Sequence, residues 1–432
     1  MKKYKFLLIM IAFGALLFTA CEERDFPNPN DPALDVVPDQ ALVSGVEAGT
    51  RDELAIYLRV VGSLGREVYY FEPADPRYTG NLLRGTPDPG GFLVLRPWSA
   101  RYSAARIAEE ILSRAAGKSG EEANGLIGYA KTMRAYELLL NLNYMDDNGI
   151  KIELSTDINT PFVSKQEALN HIKSELDDAH TALGSAGSSF PFTLSDGFAS
   201  GGFDTPAGFD MFNRALRARV AAYDKDWDGV LSALSGSFID AAGDLNHGVY
   251  LVYGTGVGDQ TNGIYENPEA SFVKLMAHPS FGTDAEAGDG RFASKVLVRD
   301  LDGNGQPDTT KFDDLQSTMS VTITSSSTDP VYIIRNEELL LLRAEANIQK
   351  GNYSDAATDI NVIRAAYGLA PVTLDAGNAV DQLLHERRYS LFMEGHRWVD
   401  MRRYGKLGDL PVDRDGDTVL DKMPKPETEI PG

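Results

Sequence analysis

The chain has 432 residues, of which 43% are hydrophobic and 24% are charged, values of an ordinary globular protein with a sizeable core. Its 63 acidic residues outnumber its 41 lysines and arginines, so that the formal net charge is −22 at pH 7. Because nucleic-acid affinity comes mainly from neutralising phosphates, this charge argues against a nucleic-acid partner.

The first residues have the pattern of an export signal. Three lysines precede an apolar run at 6–18, which is too short to span a bilayer and suits a signal peptide. Two small residues then precede Cys21, the only cysteine of the chain. This pattern predicts a signal peptide at 1–20, acylation of Cys21 by chains such as palmitate, and an extended lipidated tether at 21–38. Ordinary secretory cleavage beside an incidental cysteine is the alternative.

Helical periodicity dominates the rest of the chain, which we predict to be a single domain at 39–432. Candidate helices lie at about 39–61, 98–116, 121–144 and 164–183, as a pair within 207–238, and as two or three helices within 333–366 and 378–404. Loop-rich parts are expected at about 62–97, 184–206 and 243–330, with short β-like runs at 249–253 and 321–324.

Two segments, 214–234 and 340–360, repeat one another. Each has small residues that allow close helix approach, then a polar turn, then an aromatic residue, Trp227 or Tyr353. This is the pattern of tetratricopeptide helix pairs, which stack because no pair buries its own apolar face. We therefore predict a mainly α fold of stacked tetratricopeptide-like pairs, with a loop-rich, partly β face that binds ligand.

The C-terminal third carries a family resemblance. "YIIRNEELLLLRAEANIQKGNYSDAATDINVIRAAYGL" (332–369), followed by "LLHERRYSLFMEGHRWVDMRRYG" (383–405), resembles the signature of the SusD/RagB family of outer-membrane nutrient-binding lipoproteins. Earlier segments fit the same family in order, at 97–112, 128–152, 164–183 and 214–234. The resemblance implies a lipid-anchored protein of the cell outer membrane that faces the exterior. Such a protein binds a nutrient, expected to be a glycan, and delivers it to a SusC-like, TonB-dependent transporter.

Two other functions remain open from the residues alone. One is a surface glycoside hydrolase that uses two carboxylates, although 63 acidic residues make some suitable pair unavoidable. The other is a tetratricopeptide scaffold that binds peptides. Nucleophile, zinc, Walker and dinucleotide motifs are absent from the sequence, so we predict that the protein is not an enzyme and binds no organic cofactor.

The stretch 384–402 combines apolar and charged residues in a way that could indicate catalysis or packing. Leu384, Leu391 and Trp398 recur every seven residues and form an apolar stripe, interrupted by Gly395, which permits either a close helix approach or a break. Charged residues border this stripe, and we predict structural pairing for Glu386, Glu394, Arg397, Asp400 and Arg402. The family resemblance implies that such pairs pin the C-terminal helices to the scaffold.

A calcium loop is predicted in "DLDGNGQPD". Oxygen-bearing side chains occupy its first, third, fifth and ninth positions, namely Asp300, Asp302, Asn304 and Asp308. Gly305 stands at the sharp turn, whereas Lys311 replaces the usual glutamate and Asp313 and Asp314 lie close by. A solvated turn is the alternative. A weaker candidate without the glycine comprises Asp413, Asp415, Asp417 and Asp421.

Ligand contacts are predicted from aromatic residues with polar neighbours in the loop-rich parts. Sugar sites usually offer ring faces flanked by hydrogen-bonding groups. The candidates are Tyr78, Asn81, Arg84, Tyr253 and Tyr265. Ordinary packing is the alternative for each ring, and Trp98, which opens a helix, is expected in the core.

Overall fold

The computed structural model describes residues 37–154 and 159–429. The chain divides into two compact units, residues 1–41 and residues 42–432. Of the first unit the structure describes 37–41, where the first helix begins, so the predicted signal peptide and Cys21 lie outside the described residues. Within the described ranges no helix has the length and apolar character needed to cross a membrane.

Helices make up most of the regular structure, which confirms the predicted mainly α class. They are α1 (Asp39–Arg51), α2 (Leu54–Leu64), α3 (Phe92–Ala115), α4 (Gly120–Met145), α5 (Lys165–Leu183), α6 (Asp196–Ala199), α7 (Pro206–Tyr223), α8 (Trp227–Ser235), α9 (Pro279–Thr283), α10 (Gly290–Lys295), α11 (Asn336–Gln349), α12 (Tyr353–Ala366), α13 (Ala379–Ser390) and α14 (Arg397–Arg403).

The long helices pack in a continuous series. Each of α3, α4, α5, α7, α8, α11 and α12 contacts the next, and α11 also contacts α13. Small residues allow the close approach that such stacking needs. A Cβ at Gly128 of α4, for example, would lie 2.5 Å from Cγ of Leu183 on α5. The two predicted repeats are the hairpins α7–α8 and α11–α12, and they lie side by side.

Short strands fill the loop-rich part. The strands are β1 (Val68–Tyr70), β2 (Gly248–Leu251), β3 (Leu275–Ala277), β4 (Val296–Val298), β5 (Thr310–Phe312), β6 (Leu315–Ser317), β7 (Met319–Val321) and β8 (Val331–Arg335). One antiparallel sheet has the order β1-β3-β7-β4, while β2 pairs with β8 and β5 with β6. In these pairs Tyr69 lies opposite Met276 and Tyr250 opposite Tyr332.

Several boundaries differ from the sequence-based prediction. The predicted helix at 39–61 is two helices, because Glu53 adopts φ of +54° and breaks the run. The helix expected at 98–116 begins at Phe92 and accommodates Pro97 in its first turns. The loop-rich part expected at 184–206 contains α6, and its phenylalanine rings lie in the core. The run at 321–324 contributes only Val321 to a strand.

The segment between α13 and α14 is not helical. Met393 and Gly395 have φ of +63° and +87°, so the chain turns sharply there before α14 begins. Of the two alternatives at Gly395, the structure shows the break. Leu384, Leu391 and Trp398 are all buried, although no continuous helix joins them.

The residues after α14 return to the first half of the chain. Arg66 donates from Nε to the Pro411 carbonyl at 3.0 Å and from Nη2 to the Thr418 carbonyl at 3.0 Å. Further along, the Trp98 indole N–H donates to Oε1 of Glu429 at 3.1 Å. The C-terminal segment therefore closes the fold against α2 and α3. Trp98 itself is buried, as predicted.

Candidate functional site

An open cleft of about 350 Å³ lies where α2, α10, β8 and the turn between α13 and α14 meet. Its volume falls at the lower end of the range of roughly 300–1,000 Å³ found for small-molecule sites. The apolar part of its lining includes Leu58, Ile264, Ile323, Phe392 and Met393. Polar and aromatic side chains complete the lining, which is the composition that oriented binding of a small ligand requires.

Two charged side chains form the polar wall of the cleft. Arg335, at the end of β8, donates from Nη2 to Oε1 of Glu394 at 2.8 Å. Its Nη1 donates to Glu337 and, at 3.3 Å, to Oδ1 of Asn246, while its second Nη2 bond goes to the Ser390 carbonyl at 2.5 Å. The donors of Arg335 are therefore directed at protein acceptors, and it serves to orient Glu394.

Lys295 also reaches the cleft wall. Its Nζ donates to the carbonyls of Tyr389 at 2.6 Å and Ser390 at 2.5 Å, the last two residues of α13. A cation is favourable at this position because helix C-terminal carbonyls lack intrahelical partners. Burial lowers the pKa of Lys295 to about 8, and the charge of Arg335 acts in the same direction.

Two tyrosine rings line the cleft. Tyr332 of β8 and Tyr367, just after α12, are both half-buried. The Tyr332 ring packs edge-on against Tyr250, with 5.7 Å between the ring centroids. The Tyr367 hydroxyl donates to Oε2 of Glu337 at 3.3 Å. These contacts fix the orientation of both rings.

The cleft is suited to a ligand that carries hydroxyl groups beside an apolar surface. The Glu394 side chain is 18% exposed, and its carboxylate has acceptor positions beyond those used by Arg335. Asn246 is exposed at the cleft and provides an amide group. Hydroxyl groups can donate to these acceptors while the less polar face of the same ligand packs on a tyrosine ring.

Most charged residues of 384–402 are engaged in structural pairs, as predicted. Buried Asp400 receives Arg387 Nε at 2.6 Å, and Arg291 and Arg364 both reach Glu386. Arg402 pairs with Asp146 at 3.1 Å. Arg397 differs, because its Nη1 donates to the Leu384 carbonyl at 3.3 Å and its Nε lacks a hydrogen-bond partner.

The residues predicted to bind ligand do not converge on the cleft. Tyr78 is only 3% exposed and packs edge-on against Tyr70 and Phe92, so its ring cannot serve as a surface platform, and that prediction is wrong. Asn81 donates to the Thr86 carbonyl at 3.3 Å.

The other three candidates lie in different places. Arg84 donates to the Asp415 carbonyl at 3.4 Å. Tyr253 is half-buried, and burial raises its pKa to about 12. Only Tyr265 lies close to the cleft, since it directly follows the lining residue Ile264.

The predicted calcium loop brings three carboxylates together. Oxygens of Asp300, Asp302 and Asp308 lie within 4.8 Å of one another, and no other trio of acidic, histidine or cysteine groups in the described ranges does so. Gly305 adopts φ of +79° and donates its N–H to Asp300 at 3.0 Å. Asn304 donates from Nδ2 to Oδ2 of Asp302 at 2.8 Å.

The neighbouring acids do not complete this loop. Asp313 and Asp314 form the two-residue turn between β5 and β6, with φ of +50° and +59°. Asp313 pairs with Arg414 at 2.7 Å. The weaker candidate is also engaged elsewhere, because Asp413 bonds to His278 at 3.0 Å and Asp417 to Arg414 at 2.9 Å.

Comparison with known proteins gives one family and one fold. The SusD family matches residues 304–429. A SusD superfamily protein from Bacteroides vulgatus is 16% identical, with 90% of this chain and 95% of that chain covered and a TM-score of 0.65. A laminarin-binding SusD-like protein is 17% identical, with coverage of 90% and 96% and a TM-score of 0.66.

A third similar structure is the surface glycan-binding protein A from Bacteroides thetaiotaomicron. It is 12% identical, with coverage of 90% and 95% and a TM-score of 0.69. No match to the sequence is found among curated proteins. At these identities the solved structures establish a shared fold, and the family match covers the segment that carries α11 to α14.

Proposed function

We propose that this chain, whose residues 304–429 match the SusD family, binds an extracellular carbohydrate and delivers it to a TonB-dependent transporter. The observation that carries this proposal is the cleft. Two fixed tyrosine rings and an oriented carboxylate meet there, which is the combination that a sugar ring with polar edges requires. Two of the similar structures are described as laminarin-binding and as glycan-binding, which supports the same class of ligand.

The binding test uses the chain without its first 21 residues and a panel of oligosaccharides and peptides, measured by titration calorimetry. Glu394→Gln removes a charged acceptor, and losing a hydrogen bond to a charged group costs about 1.5–3 kcal/mol, or roughly 10- to 100-fold in Kd. Glu269→Gln, an exposed glutamate outside the cleft, is the matched control.

A second pair of variants tests the ring. Tyr332→Phe keeps the ring face and should bind as the wild type does, whereas Tyr332→Ala should lose affinity. Equal affinity in all variants would place the ligand elsewhere. Hydrolysis products that accumulate during the measurement would favour the glycoside hydrolase, and selective binding of peptides would favour the peptide scaffold.

The proposed location is the outer face of the outer membrane, with acylated Cys21 as the anchor. The apolar run at 6–18 followed by a lone cysteine supports this placement. Several acyl chains on one residue anchor a protein without a spanning helix. Cys21→Ser should abolish labelling with radioactive palmitate and release the protein from membranes. A variant that stays membrane-bound would contradict the proposal.

Delivery to a transporter requires a partner in the same membrane. The test is co-purification of the lipidated protein with a TonB-dependent transporter from the native membrane, followed by uptake measurements in a strain without that transporter. Uptake that continues undiminished would contradict delivery, while carbohydrate binding by the cleft would still stand.

We also propose that the loop 300–308 binds one calcium ion. Calcium prefers carboxylate and carbonyl oxygens, and three carboxylates converge there beside a left-handed glycine. Like charges placed this close repel one another unless a cation neutralises them. An ion held there would stiffen the connection between β4 and β5.

A further inference from the structure

The wall of the cleft that carries Glu394 contains a strained residue. Met393 adopts φ of +63°, a region that unbranched and branched side chains enter only where the surroundings hold them. Its side chain is 1% exposed and lines the cleft, so the strain lies inside the site. Backbone strain of this kind is commonly part of how a site is preorganised.

Two features at the end of α2 hold Met393 in place. The backbone N–H of Met393 donates to Oε1 of Glu67 at 3.2 Å in a buried hydrogen bond. Gly62 provides the space for the side chain, because a Cβ there would lie 2.7 Å from Sδ of Met393. The segment from Gly62 to Glu67 therefore clamps the turn between α13 and α14.

Burying Glu67 costs free energy, which makes glutamate an unfavourable residue at a position that only maintains the fold. It is 1% exposed, and a buried carboxylate is unfavourable unless hydrogen bonds or cations compensate it. Burial raises its pKa to about 8, while the Met393 amide and the charge of Arg397 oppose this rise. Among the described residues, the one hydrogen bond to its side chain comes from the amide of the strained residue, Met393.

We propose that Glu67 is a positioning residue for the cleft. By accepting the Met393 amide hydrogen it keeps residue 393 left-handed, and this sets the direction in which Glu394 leaves the backbone. Glu394 then meets Arg335 at 2.8 Å and faces the cleft. With residue 393 in an ordinary conformation, the next side chain would point away from Arg335. This inference rests on the proposed carbohydrate site.

The experiment compares two substitutions of Glu67. Glu67→Gln keeps the size and an acceptor oxygen, so Met393 amide exchange and carbohydrate affinity should stay within about twofold of the wild type. Glu67→Leu keeps most of the volume but removes the acceptor. Amide exchange across 391–396 should then quicken at least about tenfold, and affinity should fall about tenfold.

A double-mutant cycle separates positioning from general packing. Glycine adopts φ above zero without strain, so in a Met393→Gly background the clamp is unnecessary. There, Glu67→Leu should change affinity less than about twofold. The same tenfold loss in both backgrounds would overturn the proposal, and so would unchanged exchange and affinity in Glu67→Leu.

Two further outcomes are decisive. Glu67→Leu that folds only in the Met393→Gly background would support the clamp, whereas failure to fold in both backgrounds would overturn it. If no carbohydrate binds the wild type, the proposed function fails, while the exchange of residues 391–396 still tests the clamp by itself.

Discussion

The stretch 386–403 and the loop 300–308 both contain several charged residues, but the two regions differ in what faces each carboxylate. In the first, Asp400 is buried between Arg387 and Arg403. In the second, three exposed or half-exposed carboxylates face one another. The buried carboxylate of the first region is therefore neutralised by arginines of the protein itself, whereas the carboxylates of the second region are suited to an added cation.

The strongest test of this difference removes one buried charge. Asp400→Asn leaves Arg387 and Arg403 without their shared partner, and breaking a buried pair in this way costs about 3–5 kcal/mol. Urea denaturation should show this loss in the free energy of unfolding. Asp228→Asn, at an exposed pair with Lys350, is the control and should cost about 1 kcal/mol or less. Equal losses would show that burial does not separate the two kinds of pair.

Lowering the pH should reveal how much the same ion pairs of Asp400 contribute to the stability of the fold. Burial alone would raise the pKa of Asp400, but Arg387 and Arg403 overcome this and lower it to about 2, against roughly 3.9 in an unfolded chain. A lowered pKa stabilises the fold above the unfolded value, and this stabilisation is lost as the pH falls towards 2. The stability difference between the wild type and Asp400→Asn should narrow by about 2 kcal/mol between pH 5 and 2. A constant difference would contradict the lowered pKa.

Calcium should act on the loop and leave the buried region unaffected. At a tenfold excess over Kd, an ion that binds only the folded state stabilises it by about 1.4 kcal/mol. The melting temperature should rise with calcium in the wild type and in Asp313→Asn, whose carboxylate pairs with Arg414. It should not rise in Asp302→Asn. A wild-type melting temperature that does not rise with calcium would contradict calcium binding by this loop.

The sequence predicts the helical part of the fold well, because helical periodicity is local. The hairpins α7–α8 and α11–α12 follow from small residues and polar turns that lie within one segment. The strands were harder to predict, since β3 and β7 have three residues each and are defined by pairing between segments about 40 residues apart in the sequence. Glu53 also shows how one left-handed residue divides a continuous periodic pattern into two helices.

The cleft could not be located from the sequence. Tyr332 and Tyr367 stand beside segments that resemble helical scaffold, and Asn246 lies in a loop far from both. Their proximity depends on the pairing of β2 with β8 and on the turn at Met393. The available signal was Arg335, a charged residue at the end of an apolar strand. Such a residue needs an acidic partner, and Glu394 is that partner.

The return of the C-terminal segment to α2 and α3 also determines the order in which parts of the protein fold. Bonds such as Arg66 to Pro411 and Trp98 to Glu429 join positions more than 300 residues apart in the sequence. Contacts of such long separation form late, because a large loop must close before they stabilise anything. While a ribosome still holds the last segment, α2 and α3 lack these partners. The protein can therefore complete its fold only after almost the whole chain has been synthesised.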